Sequence, residues 1–430
     1  MKIAIVGGGG VRTPLLVNGL TRSDLPIGEI GLFDIDQKRL SVIASLAAAA
    51  GAPVRQYADP VACVRDARFV ILSIRVGGID ARARDEAIAL EHGTVGQETV
   101  GAGGFAMAMR TIPYAVEYAR LVAREAQDAW IVSFTNPVGI VTQAMTSATS
   151  ARIIGICDTP TELFEDAAHV LELDSSRCRF DYFGLNHLGW LREVYYDGAP
   201  QLGRLWEEPM LLDRVYRAPL FETDGLLRLR MLPTEYLFYY YRPGVALANA
   251  KNAGRTRGRA IADLNERLFR DLGAAGADRQ RIYEQYLDAR NAGYMQIESG
   301  STAPIARSPW AELTGYDKTA LNVIRAIHFN SNAIIPLNVP NRGALRDLAD
   351  SDIVEVPCVV NTNGAHPLAV GPAPDSVREL LLRVKDYERL TVDAASTPTE
   401  ESATRALAHN PLVGDPALAR RLVNALHPLW

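Results

Sequence analysis

Cysteine is scarce in this sequence: only four of the 430 residues are cysteines, at positions 63, 157, 178 and 358. Their irregular spacing matches neither a disulfide framework nor a CxxC zinc motif, so we expect a reduced, cytoplasmic protein. Long apolar runs are missing as well, since no stretch approaches the ~20 residues that span a bilayer. The apolar run at residues 3–6 is too short for a signal peptide. We therefore expect no membrane partner.

Neither sign of charge is in large excess. The chain has 45 Lys and Arg against 50 Asp and Glu, a net charge of −5. Because a mildly negative protein does not attract a polyanion, nucleic acid is not expected as a partner. Internal repeats and low-complexity segments are absent, and the 48% apolar content is typical of a globular protein. At this length two domains are expected.

The first part of the sequence alternates short apolar strands with helical segments. Strands are predicted at residues 2–6, 29–33, 69–73, 130–134 and 153–156, with the first helices at about 14–21 and 38–50. This alternation predicts an α/β fold with a Rossmann-type, doubly wound parallel sheet. After about residue 180 the pattern becomes mixed, so we predict a Rossmann domain over 1–180 and an α+β domain over 181–430. Residues 392–403 are expected to form a solvated connection.

A glycine run at the end of the first strand indicates a dinucleotide site. Gly7, Gly8, Gly9 and Gly10 allow the backbone to turn sharply and approach a pyrophosphate, and the next helix directs its N–H groups toward the phosphates. Asp34 ends the second strand, where a carboxylate meets the ribose hydroxyls and repels a 2′-phosphate. NAD is therefore predicted rather than NADP, with Val11 and Arg12 beside the phosphates. The alternative is a glycine-rich loop in another α/β protein.

Two further pairs of residues have side chains suited to chemistry. Cys157 and Asp158 follow the fifth strand, at the carboxyl edge of the sheet where ligands bind. Asn186 and His187 lie in a polar and aromatic segment. Thiolate and imidazole are soft to borderline metal ligands. On composition alone, a buried thiol and a hydrogen-bonded structural histidine are the favoured interpretation.

Short motifs in a fixed order then resemble glycoside hydrolase family 4, the NAD- and metal-dependent glycosidases, and within it the branch named for 6-phospho-β-glucosidases. They are the glycine run with Thr13-Pro14, Arg75-Val76-Gly77-Gly78, Asp85-Glu86, Gly96-Gln97-Glu98-Thr99, Gly103-Gly104, Thr135-Asn136-Pro137, Gly155-Ile156-Cys157-Asp158, Gly184-Leu185-Asn186-His187, the tyrosine run from Tyr236, and Asn338-Val339-Pro340-Asn341. The resemblance implies an architecture like that of lactate and malate dehydrogenases.

The resemblance also implies a mechanism, in which NAD removes a hydride from carbon 3 of the sugar. A divalent metal, usually manganese, then assists a tyrosine in removing the proton from carbon 2. The leaving group departs by elimination, water adds, and the hydride returns. The family is an exception to hydrolysis by two carboxylates. The expected function is therefore the hydrolysis of O-glycosides, with 6-phospho-glucosides as the expected substrates.

Carried onto this sequence, the resemblance makes Cys157 and His187 the metal ligands and Tyr236 the base. A tyrosine base needs its pKa of ~10 lowered, and a nearby cation has that effect. Asp158 resembles the general acid of members that cleave α-linkages. The alternatives are that Tyr236 is a buried aromatic residue like Tyr239 and that Asp158 only caps a helix.

The remaining predicted contacts involve cofactor and sugar. Asn136 resembles a residue that contacts both, and Arg75 is predicted at the cofactor. The resemblance places Arg82 and Arg257 at the sugar or its 6-phosphate, and an arginine fork suits a phosphate. Asn186 is also predicted at the substrate. The alternatives are a turn residue for Asn136 and a solvated surface side chain for Arg257, for which Arg255 and Arg259 compete.

The sequence also departs from members that act on 6-phosphosugars. Gly10 and Arg12 stand where those members have Ser and an aromatic residue, and Phe238 replaces an arginine of the tyrosine run. The α or β linkage and the need for a 6-phosphate stay open. Alternative functions are an NAD-dependent dehydrogenase of a hydroxy acid or sugar acid and a non-catalytic NAD-binding regulator. The resemblance implies a homodimer or homotetramer.

Overall fold

The computed structural model describes residues 1–49, 51–216, 218–274, 276, 278–300 and 315–427. Its strands are β1 (Lys2–Val6), β2 (Glu29–Phe33), β3 (Val54–Tyr57), β4 (Ala67–Leu72), β5 (Trp130–Ser133), β6 (Arg152–Gly155), β7 (Cys178–Leu185), β8 (Leu188–Tyr196), β9 (Ala199–Pro200), β10 (Leu232–Pro233), β11 (Ala333–Pro340), β12 (Ile353–Asn361) and β13 (Gly364–Pro367).

The helices are α1 (Thr13–Thr21), α2 (Gln37–Ala48), α3 (Pro60–Val64), α4 (Gly78–Glu91), α5 (Gly101–Glu125), α6 (Val138–Ala148), α7 (Thr159–Val170), α8 (Gly203–Glu207), α9 (Leu212–Val215), α10 (Thr223–Leu229), α11 (Leu237–Tyr241), α12 (Pro243–Asn252), α13 (Arg257–Ala274), α14 (Arg279–Ala292), α15 (Gln296–Ser299), α16 (Tyr316–Phe329), α17 (Asp375–Ser396), α18 (Glu400–His409) and α19 (Pro416–Leu426). Among the described residues, no helix combines the length and apolarity needed to cross a membrane.

Nine strands form the main sheet, in the order β13-β12-β11-β6-β5-β4-β1-β2-β3. The six from β3 to β6 are parallel and follow the 3-2-1-4-5-6 order of a Rossmann sheet. Their apolar sequences follow from burial by helices on both faces. The predicted strands at residues 2–6 and 29–33 match β1 and β2, and the predicted fold class is confirmed.

The second part of the chain extends this sheet. Strand β11 runs antiparallel to β6, where Asn338 faces Gly155, and β12 and β13 add to it in turn. Strands β7, β8 and β10 form a separate antiparallel sheet, with β9 on β8. The predicted boundary near residue 180 therefore lies between the two sheets. Strands β11, β12 and β13, from the second half of the chain, nevertheless belong to the nine-stranded sheet. The division into domains stays a prediction.

The connection predicted at residues 392–403 is wrong. Helix α17 continues to Ser396 and α18 begins at Glu400, so only three residues separate them. Ala394 and Ala395 are buried against the core, and this packing holds the last turn of α17 in place. The Ser and Thr residues that suggested a loop belong partly to a helix start, since Thr399 caps α18 in a capping box with Ser402.

Candidate active site

The glycine run forms a tight loop between the ends of neighbouring strands. Gly7 has a φ of +90°, and a Cβ there would lie 2.0 Å from the carbonyl oxygen of Ser73, so only glycine fits. The amide of Gly9 donates to Asp34 Oδ2 at 2.9 Å, which ties the loop to the end of β2. A loop without side chains, followed by the N-terminus of α1, allows a pyrophosphate to approach the backbone closely, as predicted for NAD.

A cleft of about 650 Å³ opens at the carboxyl ends of the parallel strands. It brings together most of the residues predicted from the sequence. Those that line it are Gly7, Gly9, Gly10, Val11, Arg12, Asp34, Arg75, Arg82, Asn136, Asp158, Tyr236 and Arg257. The predicted residues Gly8, Cys157, Asn186 and His187 do not line it, although Cys157 adjoins Asp158 and His187 contacts Tyr236.

His187 is buried, and its hydrogen bonds define its tautomer. The hydroxyl of Thr99 donates to Gln97 Oε1 at 2.9 Å, so it accepts from His187 Nδ1–H at 2.8 Å. The other nitrogen, Nε2, is buried with no partner among the described residues and carries the lone pair. Burial lowers the pKa of His187 to about 4, which favours the neutral ring that binds metals. The predicted role as a ligand fits this geometry.

Cys157 lies two residues beyond β6, and its thiol is buried. Burial, followed by the negative charges of Glu355 and Asp158, raises its pKa well above the usual value. A divalent cation would counteract this effect, because it stabilises a thiolate. No three His, Cys, Asp or Glu side chains of the described ranges group as a metal site. Cys157 and His187 therefore stay a predicted pair of metal ligands.

Tyr236 lies flat against His187, with ring centroids 3.8 Å apart and an interplanar angle of 2°. It is the one tyrosine of the 236–241 run that lines the cleft, whereas Tyr239 is buried. Burial, followed by the charge of Glu235, raises its pKa well above the usual value. Its position favours the base over the alternative of a buried core aromatic.

Asp158 occupies the N-cap position of α7, but its side chain makes no capping hydrogen bond there. The alternative that this residue serves only as a cap therefore loses its physical basis. Asn136 precedes Pro137 through a cis peptide, and its Oδ1 is buried with no partner in the described part of the chain. Both side chains line the cleft, where a substrate or cofactor group can satisfy Asn136 Oδ1.

Arg75 and Arg82 share one carboxylate, that of Glu98. Arg82 also donates to Glu86 Oε1 at 2.8 Å. Burial works to raise the pKa of Glu98, but the two guanidinium groups hold it at about 2. Both arginines are therefore fixed in place at the wall of the cleft. The sequence pointed to Glu98 only as part of a motif, without a role.

Arg257 and Arg290 differ from that pair, because no carboxylate in the described ranges lies within ion-pair distance of either. Arg257 donates to the carbonyl of Arg290 at 2.8 Å, and Arg290 donates to the hydroxyl of Tyr286 at 3.1 Å. Both line the cleft. The competing Arg255 and Arg259 are exposed, and Arg259 pairs with Asp263.

Sequence reasoning missed Arg290, whose only signal was its place one turn after Tyr286 on α14. It also missed the hydrogen-bond network next to the predicted metal ligands. Glu355 is a buried carboxylate in the otherwise apolar strand β12, and that lone charge was the signal. Arg12, expected near a phosphate, lines the cleft and also pairs with Asp317 at 3.3 Å.

This geometry can be compared with known proteins. The model described as "Family 4 glycosyl hydrolase" matches residues 2–173, and the model of the "Family 4 glycosyl hydrolase C-terminal domain" matches residues 182–413. The chain belongs to glycosyl hydrolase family 4. The family predicted from the motifs is confirmed, and the chain is a glycoside hydrolase by family.

Individual relatives match over their whole length. A probable 6-phospho-β-glucosidase of Bacillus subtilis is 31% identical, and the alignment covers 99% of this chain and 95% of the relative. A 6-phospho-β-glucosidase of Thermotoga maritima, solved with manganese, NAD⁺ and glucose-6-phosphate, gives a TM-score of 0.83 at 27% identity, covering 100% and 98% of the two chains. A 6-phospho-α-glucosidase from gut microorganisms, solved with NAD and Mn²⁺, gives 0.82 at 25% identity, covering 100% and 97%.

The fold alone is shared more widely. A lactate dehydrogenase from a deep-sea metagenome library superposes with a TM-score of 0.54 at 15% identity, over 92% of this chain. The predicted likeness to lactate and malate dehydrogenases is thus confirmed for the architecture. The family assignment decides against a plain hydroxy-acid dehydrogenase as the function.

Proposed function

We propose that this family 4 enzyme hydrolyses 6-phospho-glucosides and works with NAD and a divalent cation, predicted to be Mn²⁺. One observation carries the proposal. A single cleft holds the glycine loop with Asp34 at one side and Tyr236 stacked on His187 at the other. A dehydrogenase-type cofactor site and a metal-dependent base therefore face the same substrate. The relatives with NAD, manganese and glucose-6-phosphate support this assignment.

The nucleotide would be held by the glycine loop and Asp34, and the cation by Cys157 and His187. When bound, they supply a hydride acceptor for carbon 3 of the sugar and a Lewis acid for its hydroxyls. Tyr236 is assigned the proton from carbon 2, because it lines the cleft and its ring stacks on His187. Thr99 keeps His187 Nε2 free of a proton, through the hydrogen bond at Nδ1.

The phosphate is assigned to Arg257 and Arg290, which have no carboxylate within ion-pair distance in the described part of the chain. Guanidinium forks bind phosphate oxygens in pairs, and half-buried positions strengthen the interaction. Arg75 and Arg82 are already paired with Glu98, so they suit hydroxyls and the cofactor instead. Members that act on 6-phosphosugars have an arginine where this chain has Phe238, and Arg290 is assigned to supply the guanidinium missing there.

Asp158 is assigned to the leaving group. It lines the cleft directly after Cys157, so a proton on its carboxyl is positioned for the glycosidic oxygen. Elimination does not require in-line displacement, and relatives named for both linkages match the chain. We therefore leave the anomer to experiment. Cytoplasmic location and a homodimer or homotetramer remain predictions, the latter testable by light scattering.

The deciding experiment is a substrate panel. Nitrophenyl α- and β-glucosides, each with and without a 6-phosphate, are incubated with enzyme, NAD and Mn²⁺. We expect release of nitrophenol from a phosphorylated substrate, no net NADH at 340 nm, and deuterium from solvent at carbon 2 of the product. NADH that accumulates with turnover would instead indicate a dehydrogenase. Hydrolysis without deuterium would rule out proton removal at carbon 2.

A further inference from the structure

Glu355 is a buried acid that the reaction described above does not use. It is 1% exposed, in strand β12. Its oxygens accept three hydrogen bonds: from the hydroxyl of Tyr182 at 2.7 Å, from Asn338 Nδ2 at 2.8 Å and from Asn186 Nδ2 at 3.3 Å. Three donors and no acceptor around one carboxyl group suit the ionised form.

No Lys or Arg side chain in the described ranges lies within ion-pair distance of this carboxylate. The buried Lys385, on α17, is paired with Glu388 and with the carbonyl of Ile353. Burying a charge without a partner of opposite sign is costly. Burial accordingly raises the pKa of Glu355 to about 7. A cation that binds nearby would remove this cost.

Two of the residues that donate to Glu355 connect it to the chain segments that carry the predicted metal ligands. Asn186, which donates to it, directly precedes His187, whose backbone has a left-handed φ of +61°. Asn338, its partner across the sheet, faces Gly155 of β6, two residues before Cys157. Glu355 also has the largest electrostatic influence of any charged side chain on the Cys157 thiol. One carboxylate thus connects the chain segments that carry both ligands.

We propose that Glu355 is an outer-sphere carboxylate of the metal centre: its negative charge compensates the cation bound by Cys157 and His187, and its hydrogen bond to Asn186 positions the turn of His187. The inference rests on the proposed function, because it needs the cation at that site. A thiolate and a neutral imidazole together carry one negative charge, so they balance only half the charge of a divalent cation. The carboxylate of Glu355 supplies the second negative charge without binding the cation directly. It is a positioning and charge-compensating residue, since it does not touch the substrate cleft.

The test measures Mn²⁺ binding by calorimetry, on protein freed of metal with EDTA and saturated with NAD. For Glu355→Gln we expect the Kd for Mn²⁺ to rise by about 10- to 100-fold, the usual effect of an outer-shell partner, with NAD affinity unchanged. Glu355→Asp, which keeps the charge, should lie between this variant and the parent. A Kd for Glu355→Gln within twofold of the parent would overturn the inference.

Thermal unfolding separates charge compensation from a merely structural role. Without metal, Glu355→Gln should melt no lower than the parent, because an uncompensated buried charge has been removed; with Mn²⁺, its increase in Tm should be smaller. A lower Tm without metal and an unchanged increase with metal would indicate a structural role and contradict the proposal.

Two further variants keep the test decisive. If Glu355→Gln does not fold, two other variants replace it. Tyr182→Phe leaves the charge in place and should bind Mn²⁺ as the parent does, whereas Glu355→Asp should bind it more weakly. Equal Mn²⁺ affinity of the parent, Tyr182→Phe and Glu355→Asp contradicts the inference. Cys157→Ser separates the two proposals. A parent that binds no Mn²⁺, or binds it as Cys157→Ser does, refutes the metal site of the proposed function. A loss in Cys157→Ser alone refutes only the role of Glu355.

Discussion

The two sides of the cleft are built differently. On the nucleotide side, the glycine loop and Asp34 lie within 34 residues of the start and are held by backbone hydrogen bonds between β1 and β2. On the metal side, Thr99, His187, Tyr236 and Glu355 come from distant parts of the chain and are joined through side chains. The nucleotide side therefore depends on backbone conformation, and the metal side on a network that only the folded chain assembles.

The largest expected effect comes from the base. Tyr236→Phe keeps the stacking on His187 but removes the hydroxyl, so kcat should fall by about 10²- to 10⁴-fold, the usual contribution of general base catalysis. Affinity for NAD should not change, because the nucleotide side is built separately. Steady-state kinetics on the phosphorylated nitrophenyl substrate and a fluorescence titration of NAD measure the two quantities.

Tyr240→Phe is the matched control, since Tyr240 belongs to the same run but does not line the cleft. It should retain kcat within about twofold of the parent. If Tyr236→Phe keeps more than a tenth of the parental kcat, Tyr236 is not the base, and the metal side loses its assigned chemistry.

The next effect concerns stability. Glu98→Gln breaks the buried pair with Arg82 and leaves the half-buried Arg75 without its carboxylate, so we expect a loss of about 3–5 kcal/mol in the free energy of unfolding at pH 7. The pKa of Glu98 is lowered to about 2 from the usual 4.5. Its stabilising effect is therefore complete above about pH 4.5 and lost as the pH falls through 2.

Urea unfolding at several pH values measures this difference between parent and variant. The gap should be constant from pH 7 down to about 5 and should narrow below that. Glu125→Gln, at an exposed ion pair with Arg65, should leave the stability nearly unchanged. A gap that stays constant into the acid range would show that the charge of Glu98 is not what stabilises the cleft wall.

The same contrast explains what the sequence could predict. Strands β1 and β2, the glycine loop and Asp34 were predictable because strand, turn and carboxylate follow each other within a few residues. Cys157, His187 and Tyr236 were found through family motifs, and their roles stay predictions. Arg290 was missed because its local sequence does not indicate that α14 lines the cleft. Glu355 was missed because its local sequence does not indicate that β12 lies beside the segment of the predicted metal ligand His187. The end of α17 was missed because buried alanines decided it, rather than helix propensity.

Substrate selection gives the third effect. Arg290→Ala removes a guanidinium that lies in the cleft and has no ion-pair partner among the described carboxylates. We therefore expect kcat/KM for the 6-phosphorylated substrate to fall about 10- to 150-fold, which corresponds to a loss of about 1.5–3 kcal/mol in transition-state stabilisation. Activity on the substrate without phosphate should be unchanged. Arg259→Ala, exposed on the neighbouring helix, serves as the control. An equal loss on both substrates would assign Arg290 to the sugar or the cofactor, rather than to the phosphate.

The smallest effect tests the nucleotide side by itself. Asp34 Oδ2 accepts from Gly9 and Oδ1 from the amide of Asp36 at 3.0 Å, which leaves lone pairs for the ribose hydroxyls. Asp34→Ser removes one charged hydrogen-bond acceptor for the ribose, which is worth about 1.5 kcal/mol of binding free energy, so the Kd for NAD should rise about tenfold. The ratio of the affinities for NAD and NADP should decrease as well. Binding of Mn²⁺ should be unaffected, the reverse of what Glu355→Gln should do. If Asp34→Ser weakened Mn²⁺ binding as strongly as NAD binding, the two sides of the cleft would be one coupled unit, because a change confined to the end of β2 would have reached His187 through the fold.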